Sequence, residues 1–159
     1  MRKEQPPPSS PEVSRRMSNA KTRDTAPEMA VRRELHARGF RYRVDAPLPG
    51  MPRRRADLLF ARERVAVFVD GCFWHGCDLH GVSPRANGDW WAEKLRGNRE
   101  RDIETDRRLD EQGWESIRCW EHEDAVDAAN RVLFRSLHCV EISTTQQSYC
   151  ILRSRGVGL

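Results

Sequence analysis

No apolar run in this chain approaches the roughly 18–20 residues needed to cross a bilayer, so no membrane span is expected. The opening residues are polar and proline-rich and carry no apolar segment resembling a secretory signal. Cysteine is sparse and odd in number, five in 159 residues, which argues against a fully paired disulfide framework. These absences imply a reducing, cytoplasmic setting, where clustered Cys and His more often bind metal than form disulfides. No internal repeat is visible.

Neither sign of charge dominates: 28 Lys and Arg face 24 Asp and Glu. The basic residues are unevenly placed, however, with Arg15-Arg16, Arg32-Arg33 and Arg53-Arg54-Arg55 all in the first 55 residues. Such patches suit a polyanion partner, most plausibly nucleic acid. A solvated arginine-rich surface would have the same composition.

What the chain does have is concentrated between Cys72 and His80, Cys-Phe-Trp-His-Gly-Cys-Asp-Leu-His. Thiolate and imidazole are the ligands zinc prefers, and short loops bring them to one ion. Cys72, Cys77 and His80 have ligand spacing, and His122 is the best candidate for the fourth position. The competing assignment makes His75 the fourth ligand and His122 a bystander. If His75 is free, the loop fixes it tightly enough to act as a general base near neutral pH.

The surrounding pattern predicts a mixed α/β domain. Residues 1–16 read as a disordered extension. A helix is expected from Thr25 to Gly39, with Thr25 as cap, Pro27 in the first turn and Glu28 three residues after the cap. Residues 40–44 alternate like a strand, and 48–52 form a turn-rich connector. Strands follow at 56–60 and 65–69, the latter without a polar residue and so expected to be central. A helix over 90–112, bent near Gly97, leads to a strand at 114–120 and a helix over 124–137. Residues 138–159 lose periodicity and read as an irregular tail.

Two carboxylates deserve weighing. Asp57 starts a short strand and Asp70 ends the next, so a hairpin would bring them to one end. Carboxylates so placed bind Mg²⁺, although an Asp at a strand end often only caps a turn. Four aromatics, Phe73, Trp74, Trp90 and Trp91, lie near the loop. Aromatics are usually core, but apolar wedges also unstack and kink DNA. On an ideal helix Trp91, Leu95, Asn98 and Asp102 share a face, which lets Asp102 point back towards His75.

Taken together, these residues resemble the very-short-patch repair endonucleases, the bacterial DNA mismatch endonucleases. The likeness covers about residues 14–125. It rests on Arg23-Asp24-Thr25-Ala26-Pro27-Glu28, Leu48-Pro49-Gly50, Asp57, Trp91, Lys94 to Asp102, Trp120-Glu121 and, above all, Phe-Val-Asp-Gly-Cys-Phe-Trp-His-Gly-Cys at 68–77. It implies a restriction-endonuclease-like core, a central mixed sheet flanked by helices with a structural zinc loop, spanning 17–137. It implies a Mg²⁺-dependent nick 5′ to the thymine of a T:G mismatch in double-stranded DNA, the lesion left when 5-methylcytosine deaminates.

Carried over residue by residue, the resemblance makes Asp57 the Mg²⁺ ligand, with the Val69 carbonyl assisting, and His75 the catalytic histidine. Asp102 and Glu28 become acidic residues of the active site, and Phe73, Trp74 and Trp91 the intercalating aromatics. Residues 14–24 match an arm that grips the duplex, placing Lys21 and Arg23 on DNA together with Lys94 and Asn98. The sequence departs from the pattern at Gly76 and Cys77, which replace a histidine-rich loop, and at His122, which replaces the last zinc cysteine. Asp70 also stands where histidine is expected. Cys72, Cys77, His80 and His122 still make a complete zinc set. A monomer is implied, in company with a cytosine-5 methyltransferase and mismatch-repair proteins. A non-catalytic zinc module that binds DNA, or a nuclease with another target, are the competing readings.

Overall fold

In the computed structural model of the protein, residues 6–136 are described, except 9, 22, 83 and 85. The elements are α1 (Pro11–Ser18), α2 (Ala26–Ala37), β1 (Arg43–Leu48), β2 (Met51–Phe60), β3 (Val65–Asp70), α3 (Cys72–His75), α4 (Gly88–Asp110) and β4 (Glu115–Trp120). A closing helix, α5, covers 125–136. One sheet runs in the order β1-β2-β3-β4. β1, β2 and β3 are antiparallel neighbours, and β4 lies parallel to β3. A parallel neighbour requires a long crossover, and α3 with α4 supplies it. This is the mixed α/β sheet with flanking helices that the sequence implies.

β3 is central because both its faces are covered. Val65 and Val67 enter a core with Val31 and Leu35 of α2, Ile117 and Cys119 of β4, and Ala128, Ala129 and Val132 of α5. Ala66 and Phe68 enter a second core with Met51, Ala56, Leu59 and Leu109 of α4. Its unbroken apolar run therefore reflects a strand with a helix layer on each side.

Three expectations are corrected. Residues 11–16 are helical rather than disordered, because Ser10 caps α1 by accepting the Val13 N–H at 3.2 Å and Pro11 takes the first-turn position. The first strand is Arg43–Leu48, not 40–44, and β2 begins at Met51, so the expected connector shrinks to a tight turn at Pro49–Gly50. Pro52 is tolerated in β2 because β3 pairs only with residues 58–60, leaving that end of β2 with one neighbour. Finally, α4 runs unbroken through Gly97, starting two residues earlier than expected and ending before Gly113, whose φ is 71°. The expected tail at 138–159 lies outside the described residues.

Candidate active site

The β2–β3 hairpin places Asp57 beside Val69, whose N–H donates to Asp57 Oδ2 at 2.7 Å. Burial, with the Glu28 and Asp70 carboxylates adding to it, pushes the Asp57 carboxyl up to about 6, against the opposing Val69 hydrogen bond and Arg32. Glu28 is itself buried in the first turn of α2, paired with Arg32 and accepting the Thr25 N–H at 3.3 Å. A buried carboxylate near two more acids and a strand backbone is a donor set that suits a hard divalent cation.

β3 runs directly into α3, one helical turn that ends at Gly76 in the left-handed region with φ 66°. Glycine adopts that conformation without strain, and it turns the chain from His75 towards Cys77. The adjoining helix α4 grips the turn on both sides of His75. Asn98 Nδ2 donates to the Trp74 carbonyl at 2.9 Å, and Arg99 Nη2 to the Gly76 carbonyl at 3.1 Å. Between them Asp102 Oδ2 lies 2.6 Å from His75 Nδ1, with Asp70 Oδ1 at 3.6 Å. An ionised carboxylate only accepts, so Nδ1 carries a proton, and in the neutral ring the lone pair is on Nε2. Burial opposes charging the ring, but the Asp102 hydrogen bond and the Asp70 and Asp102 charges outweigh it and hold His75 above its usual value. The facing pattern expected of Asn98 and Asp102 is the one observed.

Cys72, Cys77, His80 and His122 form a separate cluster, their donor atoms all within 4.8 Å of one another. Cys72 Sγ lies 3.0 Å from His122 Nδ1, and Cys77 Sγ lies 3.8 and 4.0 Å from Nδ1 of His122 and His80. Tetrahedral zinc with N and S ligands holds its donors roughly 3–4 Å apart, so the set fits such an ion. Burial, the Cys77 thiol and the Glu121 carboxylate push the Cys72 thiol up to about 11, a condition that a bound cation reverses. His75 stands outside this cluster, turned to Asp102. Glu121 ties the cluster to β4 by accepting the Cys72 N–H at 2.7 Å.

On the outer side of α3, Phe73, Trp74 and Trp91 pack edge-on or tilted, with ring centroids 5.0–5.9 Å apart. Trp74 is 38% exposed. The cluster borders a cleft of about 710 Å³ whose far wall includes Val13 and Met17 of α1. Lys21, Arg23 and Lys94 are exposed, and Arg23 pairs with Asp45 at 3.2 Å. Asn98 differs from these DNA-facing candidates, being buried and committed to the Trp74 carbonyl.

Sequence reasoning passed over Arg118. On β4 it alternates with Ile117 and Cys119, which enter the α2–α5 core. An arginine on the opposite face of a core strand, inside a run otherwise read as apolar alternation, was the available signal.

The chain is similar to known nucleases. Residues 10–80 match the family model described as DNA mismatch endonuclease Vsr. The chain is 42% identical over 130 residues to the Type II nicking enzyme V.NaeI of Lentzea aerocolonigenes, covering 80% of this chain and 78% of that one. It is 39% identical over 110 residues to the Type II nicking enzyme V.XorIIP of Xanthomonas oryzae pv. oryzae, covering 67% and 77%. With the DNA mismatch endonuclease Vsr of Escherichia coli K12 it shares 40% identity over 111 residues, 68% of each chain. Family model and relatives define a DNA endonuclease, a hydrolase. The chain belongs to the Vsr family.

Proposed function

We propose that this endonuclease nicks one strand 5′ to the thymine of a T:G mismatch arising from 5-methylcytosine deamination, with Mg²⁺ as the catalytic ion and zinc as a structural one. One observation carries this reading. Three consecutive residues on one turn face two tasks: Phe73 and Trp74 join the aromatic cluster, and His75 meets Asp102. Opening of a base pair and hydrolysis beside it then occur on the same rigid element.

Asp57 and the Val69 carbonyl would hold Mg²⁺, which when bound supplies positive charge against the phosphate and the water. Asp102 keeps the Nδ1 proton in place, so His75 Nε2 faces the attacking water and takes its proton. The water oxygen bonds to phosphorus, the bond to the leaving ester oxygen breaks, and that oxygen is protonated from solvent. Zinc on Cys72, Cys77, His80 and His122 would anchor both ends of α3 to β4. Phe73, Trp74 and Trp91 enter the stack at the mispair, where opening is least expensive. Lys21, Arg23 and Lys94 hold phosphates without reading sequence, while Asn98 acts through the Trp74 backbone.

This account makes 17–137 the catalytic unit, acting as a monomer in the cytoplasm. There it follows a cytosine-5 methyltransferase and works alongside mismatch-repair proteins. The non-catalytic module is set aside by membership of an endonuclease family. A cut on one strand is supported by relatives named Type II nicking enzymes and by one named DNA mismatch endonuclease.

The test is Asp57→Asn. It should bind a T:G duplex as wild type does, with zinc content unchanged, while nicking falls by about a thousandfold, several kcal/mol of transition-state stabilisation. Full nicking by this variant would remove Asp57 from the metal site.

A further inference from the structure

Arg118 lies where three elements meet. Its guanidinium sits 4.7 Å over the Phe68 ring. Nη1 donates to both oxygens of Asp70 at 2.8 and 3.1 Å. Nε and Nη2 donate to the two oxygens of Asp106 at 2.9 and 3.2 Å. Nη2 also lies 3.4 Å from Asp102 Oδ1 and 3.4 Å from the Asp102 carbonyl.

Two of these acids are the same two that face His75. Asp102 divides its oxygens, Oδ1 towards Arg118 and Oδ2 towards His75 Nδ1. Asp70 has both oxygens on Arg118, although Oδ1 is only 3.6 Å from the same Nδ1. One imidazole N–H thus has a carboxylate at hydrogen-bond distance and a second 3.6 Å away, and a single cation contacts both.

We propose that Arg118 is a positioning residue for His75, engaging Asp70 and steering Asp102 so that the Nδ1 proton goes to Asp102. It rests on the reading of His75 as the general base. With Asp70 held, the ring has one acceptor and one orientation, and Nε2 points in one direction. Removing the guanidinium leaves Asp70, Asp102 and Asp106 crowded without their shared counter-charge, and two carboxylates competing for one proton. The planar fork of arginine fixes directions as well as charge, which the compact ammonium of lysine does not.

The experiment compares wild type, Arg118→Met and Arg118→Lys as full-length, zinc-loaded proteins. It measures single-turnover nicking of a T:G duplex, duplex affinity by gel shift, and the far-downfield imidazole N–H proton resonance of the His75–Asp102 hydrogen bond. A misaligned base reduces rate by about a hundredfold, and that is expected of Arg118→Met with affinity within about twofold of wild type. Arg118→Lys should be about tenfold slow, a partial rescue, and the downfield resonance should weaken or vanish in both variants. Should Arg118→Met fail to fold, Arg118→Lys decides alone. A wild-type rate together with an unchanged resonance in Arg118→Lys would overturn the inference. If wild type nicks no T:G duplex, the functional reading fails, and with it the positioning role.

Discussion

Asp102 and His75 are 27 residues apart in sequence and 2.6 Å apart in space, joined across the gap between α4 and α3. The same helix face holds the carbonyls on either side of His75, through Asn98 and Arg99. The imidazole is therefore fixed by its neighbours' backbone as well as by its own hydrogen bond. In the proposed role of base, an imidazole positioned this firmly needs little reorganisation when the proton moves.

Replacing His75 by Gln should slow nicking by roughly 10²–10⁴-fold, the range for loss of a general base. Asp102→Asn should lose less, and the double variant should lose no more than His75→Gln alone, because the two act as one unit. Single-turnover rates on one duplex measure all three. Multiplicative losses would separate the residues.

Asp57 gives a pH prediction opposite in sign to that of a paired carboxylate. Its carboxyl sits at about 6 in the folded chain against the usual 3.8, so the ionised form disfavours the Mg²⁺-free fold by about 3 kcal/mol above pH 6. As pH falls from 6 towards 4, the folded chain takes up the proton first and that penalty disappears. Asp57→Asn retains an acceptor for the Val69 N–H and lacks the charge. In Mg²⁺-free buffer it should be the more stable protein at pH 8, by about 1–3 kcal/mol, with the gain vanishing near pH 4. Thermal melts at both pH values measure it, and a variant less stable at pH 8 would contradict it.

How much of this could be read in the sequence depended on how local each feature is. The Cys/His cluster was legible because Cys72, Cys77 and His80 lie within nine residues, and β3 because five successive apolar residues need cover on both faces. Asp102 was legible because a helix repeats its face every three to four residues. β1 was misplaced because Phe40 and Tyr42 alternate and pack against the core without joining the ladder. The start of β2 was missed because its prolines and arginines resemble a turn, and only pairing with β1 makes it a strand. The strand pattern marks Arg118 as an oddity, but for the same reason its partners were not legible. Its acidic partners lie 12 to 48 residues away, and no local pattern joins them.

Cys77→Ser should lower bound zinc and shift the melting midpoint down by several degrees, since metal binding is coupled to folding in such loops. Elemental analysis and melting curves check it. His75→Gln should keep its metal, because His75 stands outside the cluster. Zinc lost from His75→Gln but retained in Cys77→Ser would reverse the assignment.

Phe73→Ala combined with Trp74→Ala should bring the nicking rate on T:G closer to that on T:A, by about tenfold or more. Unstacking costs a few kcal/mol at each step opened and less at a mispair, so a wedge separates the two duplexes. Rates on both duplexes measure it, and unchanged discrimination would leave these aromatics a structural role only.

The most direct measurement uses a labelled duplex with one T:G mismatch, set in several methylation contexts and incubated with the protein and Mg²⁺. The account predicts a single nick on the 5′ side of the mismatched thymine, strongest in one context and absent from the T:A duplex. Equal cutting of T:A and T:G, or no nick in any context despite tight binding, would contradict it.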